Sequence, residues 1–222
     1  MDVINYFTRS FLEQLESTKH GEHVPIMSDL NISKDGKTIL TLRIEDKFQS
    51  RQANIIQLFN GCLCFMILDS FIDSVFPEME GKTIKYKYEK LPKNNNIEIM
   101  FSQIYRILKL YRNATVHHIN GISITQKHLK INFSHNNIDY FFTITHKGIE
   151  IIEDMLLCYF YYRQINYSYY YKEYLLYSFY SDILEEIEAF NDEFMDSMSI
   201  NSIKINRYER FNCNSINYEI SN

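Results

Sequence analysis

The stretch Lys109-Leu110-Tyr111-Arg112-Asn113-Ala114-Thr115-Val116-His117-His118 gathers the side chains best equipped for chemistry. A guanidinium keeps its charge at every biological pH, whereas an imidazole gains or loses a proton near neutrality. Such a pair can hold an anion and move a proton. Arg112 follows Leu108 by four positions and Ile104 by eight, so it continues the inward stripe of a helix. There it needs an anionic partner or a wet cleft. Asn113 and His117, four apart, share a face, but an ideal helix sets Arg112 and His117 about 140° apart. Their convergence therefore asks for a helix end, a bend, or a second copy of the chain. The plainer alternative is a C-terminal cap, where cations meet the negative end of the helix dipole.

Asp69 and Asp73, at i and i+4 in an apolar segment, form the next group. If buried they need a cation, for which Arg112 is the candidate; at a helix end they would face water. His20 and His23 lack a third ligand. Cys62, Cys64, Cys158 and Cys213 contain no CxxC pair and no zinc-like spacing with histidine, so neither a metal nor another cofactor is expected. The tyrosines at 159, 161, 162, 167, 169, 170, 171 and 174 offer either base-stacking rings or a packing surface.

The elements that must position these residues are mostly helical. Val3, Ile4, Phe7, Phe11, Leu12 and Leu15 recur at helical spacing over the first twenty residues. A long helix is expected from about 48 to 76, apolar nearly all round and stopped by Pro77. A second carries Ile97, Phe101, Ile104, Leu108 and Tyr111 and runs out near Thr115-Val116, where β-branched residues weaken helix propensity. Further helices are expected over 148–162 and, acidic, over 170–196. Period-two segments flank Lys34-Asp35-Gly36-Lys37 and His135-Asn136-Asn137, which predicts β insertions near 29–46 and 122–145. The lysine-rich residues 82–96 read as a surface connection. The fold expectation is mainly α: one helical-bundle domain over 1–196 with two small β-hairpin insertions, α+β overall, and a C-terminal tail over 197–222 without regular structure.

The 222 residues suit one domain, and a 45% hydrophobic content can fill a core, which excludes wholesale disorder. Residues 82–130 hold ten basic residues against Glu89 and Glu98, a net +8, which leaves −13 for the rest of a chain whose total is −5. A local positive field of this kind can hold phosphates; the bland alternative is two solvated faces. Lys85, Lys87, Arg106 and Lys109 are the cations expected to contact such phosphates. The start, Met1-Asp2-Val3-Ile4-Asn5, has no signal-peptide pattern, and Asn60, Asp69 and Asp73 make the apolar residues 58–76 a poor membrane span. A cytoplasmic chain with no membrane partner is expected.

At Arg112-Asn113-x3-His117 the sequence resembles the HEPN superfamily, whose members carry Arg-x4–6-His with a polar residue, often Asn, directly after the arginine. His118 fits the same pattern one residue longer. Bare Arg-x4-His arises by chance about 0.25 times in a chain of this composition, and the added Asn lowers this to about 0.02. The resemblance spans roughly 50–165 by architecture, and residues 112–118 by motif. It implies a HEPN-like bundle that dimerises with two Arg/His pairs facing across the symmetry axis, and metal-independent RNA cleavage. His117 would then be the general base, with His118 its rival. Arg112 would stabilise the transition state, Asn113 would orient the imidazole or the phosphate, and Asp69 and Asp73 would support Arg112. The implied partners are RNA (tRNA among the candidates), a second copy of the chain, and an antitoxin or regulatory protein in a toxin–antitoxin or phage-defence setting. The alternative is a non-catalytic HEPN-like module that binds RNA or another protein.

Overall fold

The computed structural model describes residues 6–18, 26–32, 38–44, 55–162 and 169–194. In chain order these form α1 (Tyr6–Thr18), β1 (Ile26–Ile32), β2 (Thr38–Ile44), α2 (Ile55–Val75), α3 (Ile84–Lys90) and α4 (Asn96–His117). There follow β3 (Ile122–Ile124), β4 (His128–His135), β5 (Ile138–Thr145), α5 (His146–Tyr162), α6 (Tyr169–Glu186) and β6 (Ile187–Asn191). The described chain is mostly helical with antiparallel β-structure, an α+β arrangement. The Lys34–Lys37 turn, His20, His23, Val3, Ile4 and the 197–222 tail lie outside the described residues.

Helix α2 has almost no polar face, and the packing answers that composition. It lies against α1, α4 and α5, burying Leu63, Cys64, Phe65, Ile67, Leu68 and Ile72. Among the described residues it is the one helix long and apolar enough to cross a membrane, and here it forms part of the core. Helix α4 starts at an Asn95 cap, whose Oδ1 accepts from the Glu98 N–H at 3.0 Å, while the Glu98 carboxylate accepts from the Asn94 N–H at 2.8 Å. It then packs against α2, α6 and β4.

Three expectations need correction. The second β region is not an isolated hairpin: β3-β4-β5-β6 form one four-stranded antiparallel sheet. Its last strand comes from the 170–196 segment expected to be wholly helical. The chain changes conformation at Ile187, where pairing along β5 buries Ile187 and sets Phe190 edge-to-face with Phe142, ring centroids 5.9 Å apart. Glu185, Glu186 and Glu188 made that strand look like an exposed helix. The 82–96 connection also contains α3, started by Thr83, whose hydroxyl accepts from the Tyr86 N–H at 3.2 Å. The β4–β5 turn follows its sequence signal: Asn136 and Asn137 take φ of 51° and 60°, a left-handed pair that asparagine tolerates.

Candidate functional site

Helix α4 remains helical through His117 and is closed by the His118 N–H donating to the Ala114 carbonyl at 2.9 Å. No bend or second copy is needed to bring Arg112 to His117. The arginine side chain is long enough to run along the last turn and a half, and its Nη1 lies 2.9 Å from His117 Nε2. The same Nη1 donates to Asn113 Oδ1 at 3.2 Å. A guanidinium can only donate, so Nε2 of His117 is the acceptor and the ring proton sits on Nδ1. The pair thus holds an imidazole with a free-base nitrogen against a fixed cation. Arg112 and Asn113 are half-buried and His117 is exposed, so reacting groups can reach this end of the helix.

The placement depends on how closely α2 and α4 approach. Gly61 lets the Tyr111 ring lie where a Cβ would stand 2.3 Å from its nearest atom. One helical position further, Cys62 meets the α4 end. Burial pushes its thiol pKa up, while a hydrogen bond with Thr115 and the Arg112 charge pull it back. Beyond the helix, Gly121 allows the turn into β3 to pass over β4, since a Cβ there would stand 2.4 Å from the Asn132 carbonyl oxygen.

His118 is not a second copy of His117. Its ring stacks on Phe133, centroids 4.1 Å apart and planes 7° apart, and it lies 6.4 Å from the His117 ring. The His135 ring stands 5.9 Å from it. Neither Phe133 nor His135 was expected at the site. The signal was present in the alternation of β4, which places both on one face, but nothing in one sequence ties β4 to the end of α4.

Asp69 and Asp73 do not partner Arg112. Lys87 Nζ lies 2.9 Å from Asp69 and 2.6 Å from Asp73, and Tyr105 donates to Asp69 at 2.6 Å. Burial and the Asp69 charge both push the Tyr105 hydroxyl pKa up. Lys87 is therefore a buried counter-ion between two carboxylates rather than an RNA contact. Arg106 and Lys109 are corrected in the same way. Arg106 is buried against Asp192 and Lys109 against Glu193, with Phe194 beside both cations. Burial lowers the pKa of Lys109, and Glu193 opposes that. Of the four expected RNA-binding cations Lys85 is the open one, its side chain 60% exposed and 4.0 Å from Glu89. Tyr159 packs against Phe71 and Phe101 as a core-facing ring. Among the described residues no group of three or more histidine, cysteine or acidic side chains is placed to hold a metal ion. The chain matches no family model, no curated protein and no solved structure.

Proposed function

We propose that the protein is a HEPN-type, metal-independent endoribonuclease working at the C-terminal end of α4. The observation that carries this is the 2.9 Å contact between Arg112 Nη1 and His117 Nε2, with Asn113 holding the same Nη1. An RNA phosphate entering beside Arg112 offers the guanidinium a stronger acceptor than a neutral imidazole, and so releases the Nε2 lone pair. His117 then takes the proton of a ribose 2′-OH. The 2′-oxygen forms a bond to phosphorus, the P–O5′ bond breaks, and Arg112 stabilises the charge that accumulates on the phosphoryl oxygens. The products are a 2′,3′-cyclic phosphate and a 5′-hydroxyl, the leaving oxygen taking back, from the His117 imidazolium just formed, the proton that was removed from the 2′-OH.

A second copy of the chain is supported by surface chemistry. Phe59, Cys62 and Met66 recur at i, i+3 and i+7 on α2, with Phe59 51% exposed, and Val116 beside His117 is 56% exposed. Cys62 touches Thr115, the residue before Val116, so the apolar strip of α2 reaches the end of α4 that carries Arg112. A homodimer closed over that strip would face two Arg112–His117 pairs toward each other. A cytoplasmic toxin–antitoxin or phage-defence role, with a neutralising protein partner, belongs to the same reading.

Purified protein incubated with tRNA or other RNA and a chelator tests the reading. Cyclic-phosphate ends that vanish in Arg112→Ala and His117→Ala, with both variants folded, support it; RNA bound and uncut by the wild type favours a non-catalytic RNA-binding module instead. A non-catalytic module that binds another protein rather than RNA has its own observation. The charges of Lys87, Arg106 and Lys109 are already spent on Asp69, Asp73, Asp192 and Glu193, which leaves a smaller positive surface than the sequence promised.

A further inference from the structure

Three rings stack across the sheet beside the Arg112–His117 pair. Tyr140 on β5 and Phe133 on β4 are cross-strand partners, with ring centroids 4.9 Å apart and planes 9° apart. His118 continues the stack from the other side. Strand β4 lies between β3 and β5, and the turn that follows His118 leads into β3, so Phe133 is the middle rung and His118 an end rung. Exposure rises along this face of β4: Ile131 is buried, Phe133 half-buried and His135 exposed. Across the stack itself Tyr140 is buried and Phe133 and His118 are half-buried, so it begins in the core and ends on a partly exposed ring.

Core packing accounts for Tyr140 and Phe133. It does not account for the half-buried His118 and the exposed His135, whose rings lie 5.9 Å apart, inclined by 57°, with no hydrogen-bond partner among the described residues. A flat ring at the end of a parallel stack receives another flat ring, and unpaired ring nitrogens nearby can read its edge.

The geometry points to a nucleobase subsite: one base of a single-stranded RNA stacks on His118 as the next rung, with its edge facing His135. Its sugar–phosphate leads to Arg112 and His117, and that last link rests on the nuclease reading. His118 is thereby a binding ring rather than a rival base. The phosphate is held at the helix end, and the base beside it is held by the sheet.

Binding of short single-stranded RNA, read by fluorescence anisotropy in chelator, tests this with the full chain. One set of strands is intact, and in the other an abasic position is moved along the strand. His118→Phe keeps a stacking ring and loses the ring nitrogens, so it should bind within a factor of about two of the wild type, whereas His118→Ala should bind about tenfold more weakly. One abasic position should weaken wild-type binding by the same factor and leave His118→Ala unaffected. Equal binding by His118→Ala and wild type, or an equal loss in His118→Phe, overturns the subsite. Cleavage by the same variants separates the two ideas. His118→Phe that binds and cuts supports both. A wild type that shows the stacking signature without cutting overturns the nuclease alone, and a wild type that binds no RNA overturns the subsite as well.

Discussion

Arg106 and Asp192, 86 positions apart, form a two-pronged ion pair inside the protein, Nε donating to Oδ2 at 2.7 Å and Nη2 to Oδ1. The pair joins the middle of α4 to the chain just beyond β6, with the Phe190 ring 5.1 Å from the guanidinium carbon. It makes the end of the described chain part of the α4 core.

Removing one partner leaves a charge buried without compensation. Asp192→Ala is expected to lower unfolding free energy by about 3–5 kcal/mol, whereas Arg106→Met with Asp192→Leu, which removes both charges, should recover most of it. Urea unfolding of the three proteins checks this. A single variant as stable as the wild type would show that Arg106 reaches water by another route.

Arg112→Lys should separate chemistry from stability. A lysine ammonium is a compact charge that cannot offer a phosphate the planar, paired donors of a guanidinium, so RNA cleavage is expected to fall by about 10²–10³-fold. Arg112 is half-buried at a helix end, and the unfolding midpoint should stay close to that of the wild type. Parallel cleavage and urea titrations read both quantities.

The long helices were legible because their signals are local, whereas α3 lay hidden in a lysine-rich segment that reads as a connection. The stripe from Ile97 to Tyr111 and the apolar run of α2 each lie within a few turns of chain. The sheet was legible only where a turn announced it, at Asn136-Asn137. Strand β6 depends on an edge of β5 more than forty residues away, so its pattern could not be told from a helix end. The site divides in the same way. Arg112, Asn113 and His117 share one helix, and spacing alone singled them out. The buried fate of Lys87, Arg106 and Lys109 depends on Asp69, Asp73, Asp192 and Glu193 arriving from other elements, and a charge count carries no record of pairing. Phe133 and His135 escaped notice for the same reason.

Gly61 sets the distance between α2 and α4, and a single methyl group tests it. Gly61→Ala puts a Cβ 2.3 Å from the buried Tyr111 ring, so the helices must part or the ring must turn. Overpacking of this kind costs about 1–3 kcal/mol. Because Arg112 follows Tyr111 directly, cleavage should fall by more than stability alone explains. Adding Tyr111→Leu to Gly61→Ala should relieve the clash, read as a smaller stability penalty for Gly61→Ala in that background than in the wild type.

Glu186 gives the fold a predictable acid limb. Burial works to raise its carboxyl pKa, but a hydrogen bond from Thr145 at 2.5 Å and the Lys147 ammonium at 3.1 Å outweigh that and hold it below its ordinary value. A depressed folded-state value contributes stability above the unfolded value of about 4.5, and that contribution is lost as pH falls through the folded one. Glu186→Gln should therefore be less stable than wild type by a constant margin above about pH 5.5, with the gap narrowing below about pH 4.5. Urea midpoints across this range check it, and a gap that widens on acidification would reverse the assignment.

The apolar strip beside the site predicts what a charge placed there would do. Phe59 and Met66 are seven residues apart on α2 and both exposed, so Phe59→Asp with Met66→Asp should leave the fold of one protomer intact. Two carboxylates facing their own copies across a symmetric contact repel and are costly to desolvate, so the dimer should dissociate. Light scattering should then report a monomer with unchanged circular dichroism, and cleavage should fall with the loss of the second Arg112–His117 pair. A monomeric wild type, or a charged variant that remains dimeric, would remove this strip as the interface.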